Sequence, residues 1–163
     1  MKRTIAAGIL GLALLANGAA AQTAVEQAQI LRDFEASVAE YTQRHQCLNL
    51  SPTAINAETP APNIFKLPVA IVFRQLIARA IAAPQGGEAI SAAGGPGVSH
   101  PMVLRPFPGD ELYDFPKVLS DALPAVPAPL EYRLIGHDLV IRDGEADVIV
   151  AVLRNALGSF TTR

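Results

Sequence analysis

The chain has 163 residues, 13 Lys+Arg against 15 Asp+Glu, one Cys, no Trp and half of its residues hydrophobic. That length allows one domain and little more, and a single thiol rules out an intrachain disulfide scaffold. A formal charge of -2 gives no basic stripe for nucleic acid, and so apolar a composition excludes a disordered tail.

Met1-Lys2-Arg3 is a short basic start, followed by an apolar run from Ile5 to Ala16 interrupted only by Gly8 and Gly11. Asn17-Gly18 ends the run, and Ala19-Ala20-Ala21-Gln22 offers an Ala-x-Ala site. This is the tripartite pattern of a secretory signal peptide over residues 1–21, cleaved after Ala21. An uncleaved anchor is the alternative, but the run falls short of the roughly twenty apolar residues that span a bilayer. A bacterial lipoprotein would need Cys where Gln22 stands. The expected mature chain, Gln22 to Arg163, has 142 residues, and losing Lys2 and Arg3 takes its net charge to -4. With no later segment able to span a membrane, it is expected to be soluble, and periplasmic or secreted.

Thr23-x-x-Glu26 has the form of a capping box. Behind it Ile30, Phe34, Val38, Tyr41, His45 and Leu48 recur at spacings of three and four, which predicts a helix from about Ala24 to Gln46. Glu40 and Arg44 stand in the favourable order for a surface pair. Leu48 to Asn63, with three prolines among Ser, Thr and Asn, reads as a connector. A second helix is predicted from about Leu67 to Ala83, with Pro68 in its first turn. Val69, Val72, Phe73, Leu76 and Ala80 line one side, and Ile71, Ile77 and Ile81 widen it. Only Arg74, Gln75 and Arg79 remain polar, so this helix is expected to be buried on most of its circumference.

Pro84 to Pro129 holds nine prolines and six glycines in 46 residues. Within it a flexible segment is expected at about 84–111, followed by one short helix between Leu112 and Leu123. The C-terminal third is β-prone. Leu130 to Ile135 and Leu139 to Arg142 flank a three-residue loop, Gly136-His137-Asp138, and predict a hairpin. Asp143-Gly144 marks a second turn. Val148 to Leu153 is a β-branched run read as a third strand, with a buried helix as the alternative. A hairpin alone is marginal and must pack on something. The expectation is one α+β domain over 22–163, two N-terminal helices on a small C-terminal antiparallel meander.

Some of these residues carry a resemblance. Ile64-Phe65, Val69 to Phe73-Arg74, Leu123-Pro124-x-Val126-Pro127-x-x-Leu130-Glu131-Tyr132-Arg133, Gly136, Asp143, Ala146 and Ile149-Val150 resemble the pattern of an uncharacterised family of small exported bacterial proteins. The resemblance covers about Asn63 to Leu157, apart from the loop between the two blocks. Asn63 and Ala151 stand where that pattern has acids. What it implies is an exported location, without an activity. The Tyr-Arg…Gly-x-Asp…Asp…Ile order, through Gly136, Asp138, Asp143 and Ile149, is also similar to periplasmic proteins of nickel and cobalt homeostasis. Those proteins tend to be rich in His, and this chain has three.

The candidate chemistry is sparse. His45-x-Cys47 pairs an imidazole with a thiol, but residues two apart on a helix do not share a face, and zinc sites want three or four ligands. His137, Asp138, Asp143 and Asp147, with Glu145 between, offer oxygen and nitrogen ligands for a divalent ion. Asp at a turn, however, most often binds its own backbone. Ser99-His100 and Ser120-Asp121 supply the residue types of a hydrolase triad without a Gly-x-Ser-x-Gly elbow. Gly94-Gly-Pro-Gly97 lacks the Lys-Ser/Thr of a phosphate loop. Arg74, Arg79, Arg133 and Arg142 could gather an anion or be ordinary surface charge. Alternation puts Glu131 and Arg133 on one sheet face and Tyr132 on the other, where structural or partner contacts are expected, including a Glu or Arg contact from the sheet to a helix. No cofactor is implied. The expected function is a non-enzymatic periplasmic or secreted module that binds a protein or envelope partner; the alternative is a metal- or small-ligand-binding accessory protein, and a minor hydrolase comes third.

Overall fold

The computed structural model describes residues 12–48, 63–93, 100–109 and 113–158. Among the described residues, four helices precede three strands: α1 (Leu12–Leu48), α2 (Leu67–Ala82), α3 (Gly86–Ala93), α4 (Lys117–Ala122), β1 (Leu130–Ile135), β2 (Asp138–Asp143) and β3 (Val148–Leu153). The class is α+β, helices first and an antiparallel sheet last.

α1 buries the stripe its spacing predicts, with Phe34, Val38 and Tyr41 in the core and Ile30 and Leu31 partly covered. Arg44 and Glu40 pair on its surface. Its start differs from expectation. The helix runs through Thr23 without a break, so the capping box does not act there; inside a helix the N–H groups a cap would satisfy already bond to carbonyls four residues back. The Ala-rich stretch before Thr23 is strongly helix-forming, and the expected cleavage point after Ala21 falls within α1. The C-terminal part of the predicted stripe, His45 and Leu48, lies outside the residues whose side chains are described.

α2 takes Pro68 in its first turn and buries Val69, Ala70, Val72, Phe73, Ile77 and Ala80. It is not enclosed all round: Leu67 and Ile71 face solvent at 73% and 48% exposure. α1, α3 and α4 lie beside it and the sheet meets it at Phe73, which leaves these two side chains uncovered. Part of the stretch expected to be flexible is a regular helix, α3, with Glu88 in its first turn and Ile90 buried. The corner between α2 and α3 needs glycine: a Cβ on Gly86 would lie 2.1 Å from the Ala80 carbonyl oxygen. Pro116 caps the short α4, which buries Leu119.

The sheet order is β1-β2-β3, antiparallel throughout. Ile135 pairs with Asp138, so the first hairpin closes through two residues, Gly136 and His137, rather than three. Gly136 takes φ 57°, as the first position of a tight hairpin turn permits for glycine. Leu130, Tyr132, Leu134, Leu139 and Ile141 face the helices in one cluster with Phe34, Phe73 and Ile77. Phe73 is the hub, its ring 4.8 Å from Phe34, 5.2 Å from Phe65 and 6.3 Å from Tyr132.

Val148 to Leu153 is a strand, paired to β2. Ile141 pairs with Ala151 and Arg142 with Ile149, which leaves Val150 without an opposite residue. This bulge breaks strict alternation, so Val150 joins the helix-side core while Ile149 turns to the other face. An uninterrupted apolar run is thereby buried on both faces.

The second face is covered by the chain just before α4. Leu104 N–H donates to Ile149 O (2.8 Å), Ile149 N–H to Arg105 O (2.9 Å) and Phe107 N–H to Asp147 O (3.2 Å). Pro106 bridges Val148, and Phe107 closes over Ile135, Val140 and Ile149. An otherwise open strand edge has thus drawn a Pro-rich segment onto itself. Among the described residues no helix is long and apolar enough to cross a membrane.

Candidate functional site

The polar residues of the meander fall into three groups, sorted by which way alternation points them. On the face away from the helices stand Glu131, Arg133 and Arg142. Glu131 lies directly across from Arg142 and accepts from it at 2.6 Å and from Arg133 at 2.7 Å. Arg142 also donates to Asp147 at 2.7 Å, and its guanidinium carbon sits 5.2 Å from the Phe107 ring centre. Burial works to lower the Arg142 pKa, but its hydrogen bonds to Asp147 and Glu131 and their negative charges outweigh it and hold the group above its ordinary value. The result is an array of two basic and two acidic side chains held by ion pairs. It orders the sheet face and leaves none of its four side chains unpaired.

The second group is at the opposite end of β2. Asp138 accepts from Arg154 (2.7 Å) and from the Asn155 N–H (2.7 Å). Arg154 also reaches the Pro101 carbonyl, and Arg74 on α2 donates to the Arg154 carbonyl at 2.9 Å. Arg74 thus ties α2 to the turn after β3 from the helix side; Glu131 and Arg133 point away from the helices and do not supply the contact expected of them. His137 is exposed, and its Nδ1–H donates to the Gly158 carbonyl at 3.0 Å.

The third group lies inside. Asp143, at 0% exposure, is a charged residue enclosed by the core. Its Oδ1 accepts the Glu145 and Ala146 N–H groups at 3.0 and 2.9 Å, and its Oδ2 accepts the Tyr41 hydroxyl at 3.0 Å. Burial first, then the charge and hydrogen bond of Asp143, push the Tyr41 phenol well above its ordinary pKa. Burial does the same to Tyr132, whose hydroxyl donates to the Pro124 carbonyl at 2.9 Å.

The structure does not bring His137, Asp138, Asp143 and Asp147 together. Asp138 and Asp143 are five residues apart on one strand, so their carboxylates leave opposite faces, and Asp147 is held by Arg142. Among the described residues no cluster of three or more His, Cys, Asp or Glu could hold a metal ion. Arg133 and Arg142 do share a partner, Glu131, whereas Arg74 lies on α2 with Arg154. Asp121 gives both oxygens to Lys117 at 2.7 Å. Ser99 and Gly94 to Gly97 lie outside the described residues, as do the side chains of His45 and Cys47.

Two features escape sequence reasoning. Asp143-Gly144 looks like any polar turn, and nothing local says that a Tyr 102 residues earlier meets it. The exposed Leu67 and Ile71 are apolar residues on a helix that spacing alone assigns to the core. No protein-family model, no curated protein and no solved structure matches the chain.

Proposed function

We propose that the chain is an exported, non-enzymatic module that works by binding a partner in the bacterial envelope. The observation that carries this reading is a division of labour between its surfaces. Glu131, Arg133, Arg142 and Asp147, and likewise Asp138 and Arg154, are paired with one another, while α2 turns two large apolar side chains, Leu67 and Ile71, to solvent. Paired charges in a rigid array favour scaffolding over catalysis, and exposed apolar groups on a helix favour contact with a partner. The basic start, short apolar run and Ala-x-Ala site support export.

The test is photo-crosslinking in cells expressing the full gene, with the reactive residue at Ile71 and, as control, at exposed Gln43 on α1. Adducts at position 71 and none at 43, from protein whose amino terminus is Gln22, are expected. A clean position 71, or full-length protein retained in the cytoplasm, rejects the proposal.

A further inference from the structure

The solvent side of α2 has a charge character opposite to that of the whole chain. The helix contains two Arg and no acidic residue, and Lys66 precedes it, in a chain with a net charge of -2. The core claims Val69, Phe73 and Ile77, so helical periodicity turns Leu67, Ile71 and Ala78 outward together. Lys66, Arg74 and Arg79 are all exposed around them. Arg74 uses one nitrogen on the Arg154 carbonyl and keeps its charge. A Leu and an Ile one turn apart, with a cation before them and two farther along the helix, resembles in composition a helix that lies in a lipid interface.

Charge also argues against a second copy as the occupant. Two α2 helices packed antiparallel through these sides would set like flanks against like, Arg against Arg, with no acid on the helix to answer them. Two large apolar side chains per copy also bury far less than the roughly 800 Å² per partner of a stable interface. An anionic surface answers the cations and needs only shallow apolar insertion. We propose that the exposed side of α2 docks peripherally on an anionic lipid surface, Leu67 and Ile71 entering the headgroup layer while Lys66, Arg74 and Arg79 lie against the phosphates. This rests on the reading of the protein as an envelope-binding module and names the chemistry of its partner. Each cation near such a surface contributes about a fivefold gain in affinity, so the attachment is reversible and weakens with salt.

The experiment is flotation of the exported protein with phosphatidylglycerol-rich vesicles and, separately, with pure phosphatidylcholine vesicles. Selective flotation with the anionic vesicles is expected. Joint replacement Lys66→Gln, Arg74→Gln and Arg79→Gln should weaken it on the order of 100-fold. Ile71→Asp should weaken it more than about tenfold, and Gln43→Asp should leave it unchanged. All these positions are exposed, and circular dichroism of each variant checks that the fold is kept. Equal flotation with both lipids, no flotation, or variants that float like the parent would overturn the inference. Crosslinking at position 71 separates the two claims. A lipid adduct supports both, an acidic protein in its place ends the lipid inference and leaves the envelope module standing, and no adduct ends both.

Discussion

Asp143 and Tyr41 join the first helix to the last turn through one hydrogen bond of 3.0 Å inside the core. A buried carboxylate is costly unless its oxygens are met by donors, and here two turn amides and a phenol meet them. Tyr41→Phe keeps the ring in its pocket and removes one donor from a fully buried acid, which should cost about 1–3 kcal/mol. Asp147, exposed and paired with Arg142, is the contrast: Asp147→Ala should cost about 1 kcal/mol or less. Urea melts of the two variants read the difference directly. A larger loss for Asp147→Ala would mean that the turn, and not the buried bond, holds the meander to the helices. The sequence shows half of this pair. Tyr41 is legible as core because it falls on the Phe34–Val38 stripe. Asp143 is not, because an Asp before Gly is the ordinary mark of a solvated turn and its burial is a tertiary fact.

At the scale of elements, legibility follows how local the cause is. α2 could be read to within a residue because Pro68 marks its start and its apolar spacing is regular. The hairpin could be read from its glycine turn. α3 could not, since Gly86-Gly87 is a poor helix start by propensity. Its reason is the corner it makes with α2, where a Cβ at Gly86 would press to 2.1 Å from the Ala80 oxygen, whereas a Cβ at Gly87 meets nothing nearer than 3.8 Å. Adjacent, chemically identical glycines should therefore answer oppositely to the same substitution. Gly86→Ala must move backbone and should destabilise by about 1–3 kcal/mol. Gly87→Ala should be neutral or stabilise by up to about 1 kcal/mol, from helix propensity alone. Thermal melts settle it, and a tolerated Gly86→Ala would show that the corner is looser than its geometry. The bulge at Val150 was hidden for a related reason: an all-apolar run reads as buried on both faces without saying which residue changes sides.

For the molecule as a whole, the sheet is a middle layer, with helices on one face and the Pro101–Phe107 stretch on the other. Tyr132 stands on the helix side of that layer at 8% exposure, in contact with the Phe73 and Phe115 rings. Burial raises its phenol above the ordinary value of 10.0, so the folded chain holds a proton that the unfolded chain releases first. The linkage has a definite sign. Below about pH 10 both states keep the proton and the stability is fully present. As pH rises past 10 toward the folded-state value, the unfolded state gains by ionising, and stability falls by about 1.4 kcal/mol per pH unit for this group. Tyr41 shifts in the same direction and adds to the slope. Tyr132→Phe should cost about 1 kcal/mol at neutral pH for its bond to Pro124. Above pH 10 its stability should fall less steeply than the parent's, and the two curves should converge. Urea midpoints measured across that range provide the check. Parallel curves would mean that the Tyr132 hydroxyl is reached by solvent in the folded protein, and that the helix layer does not seal the sheet.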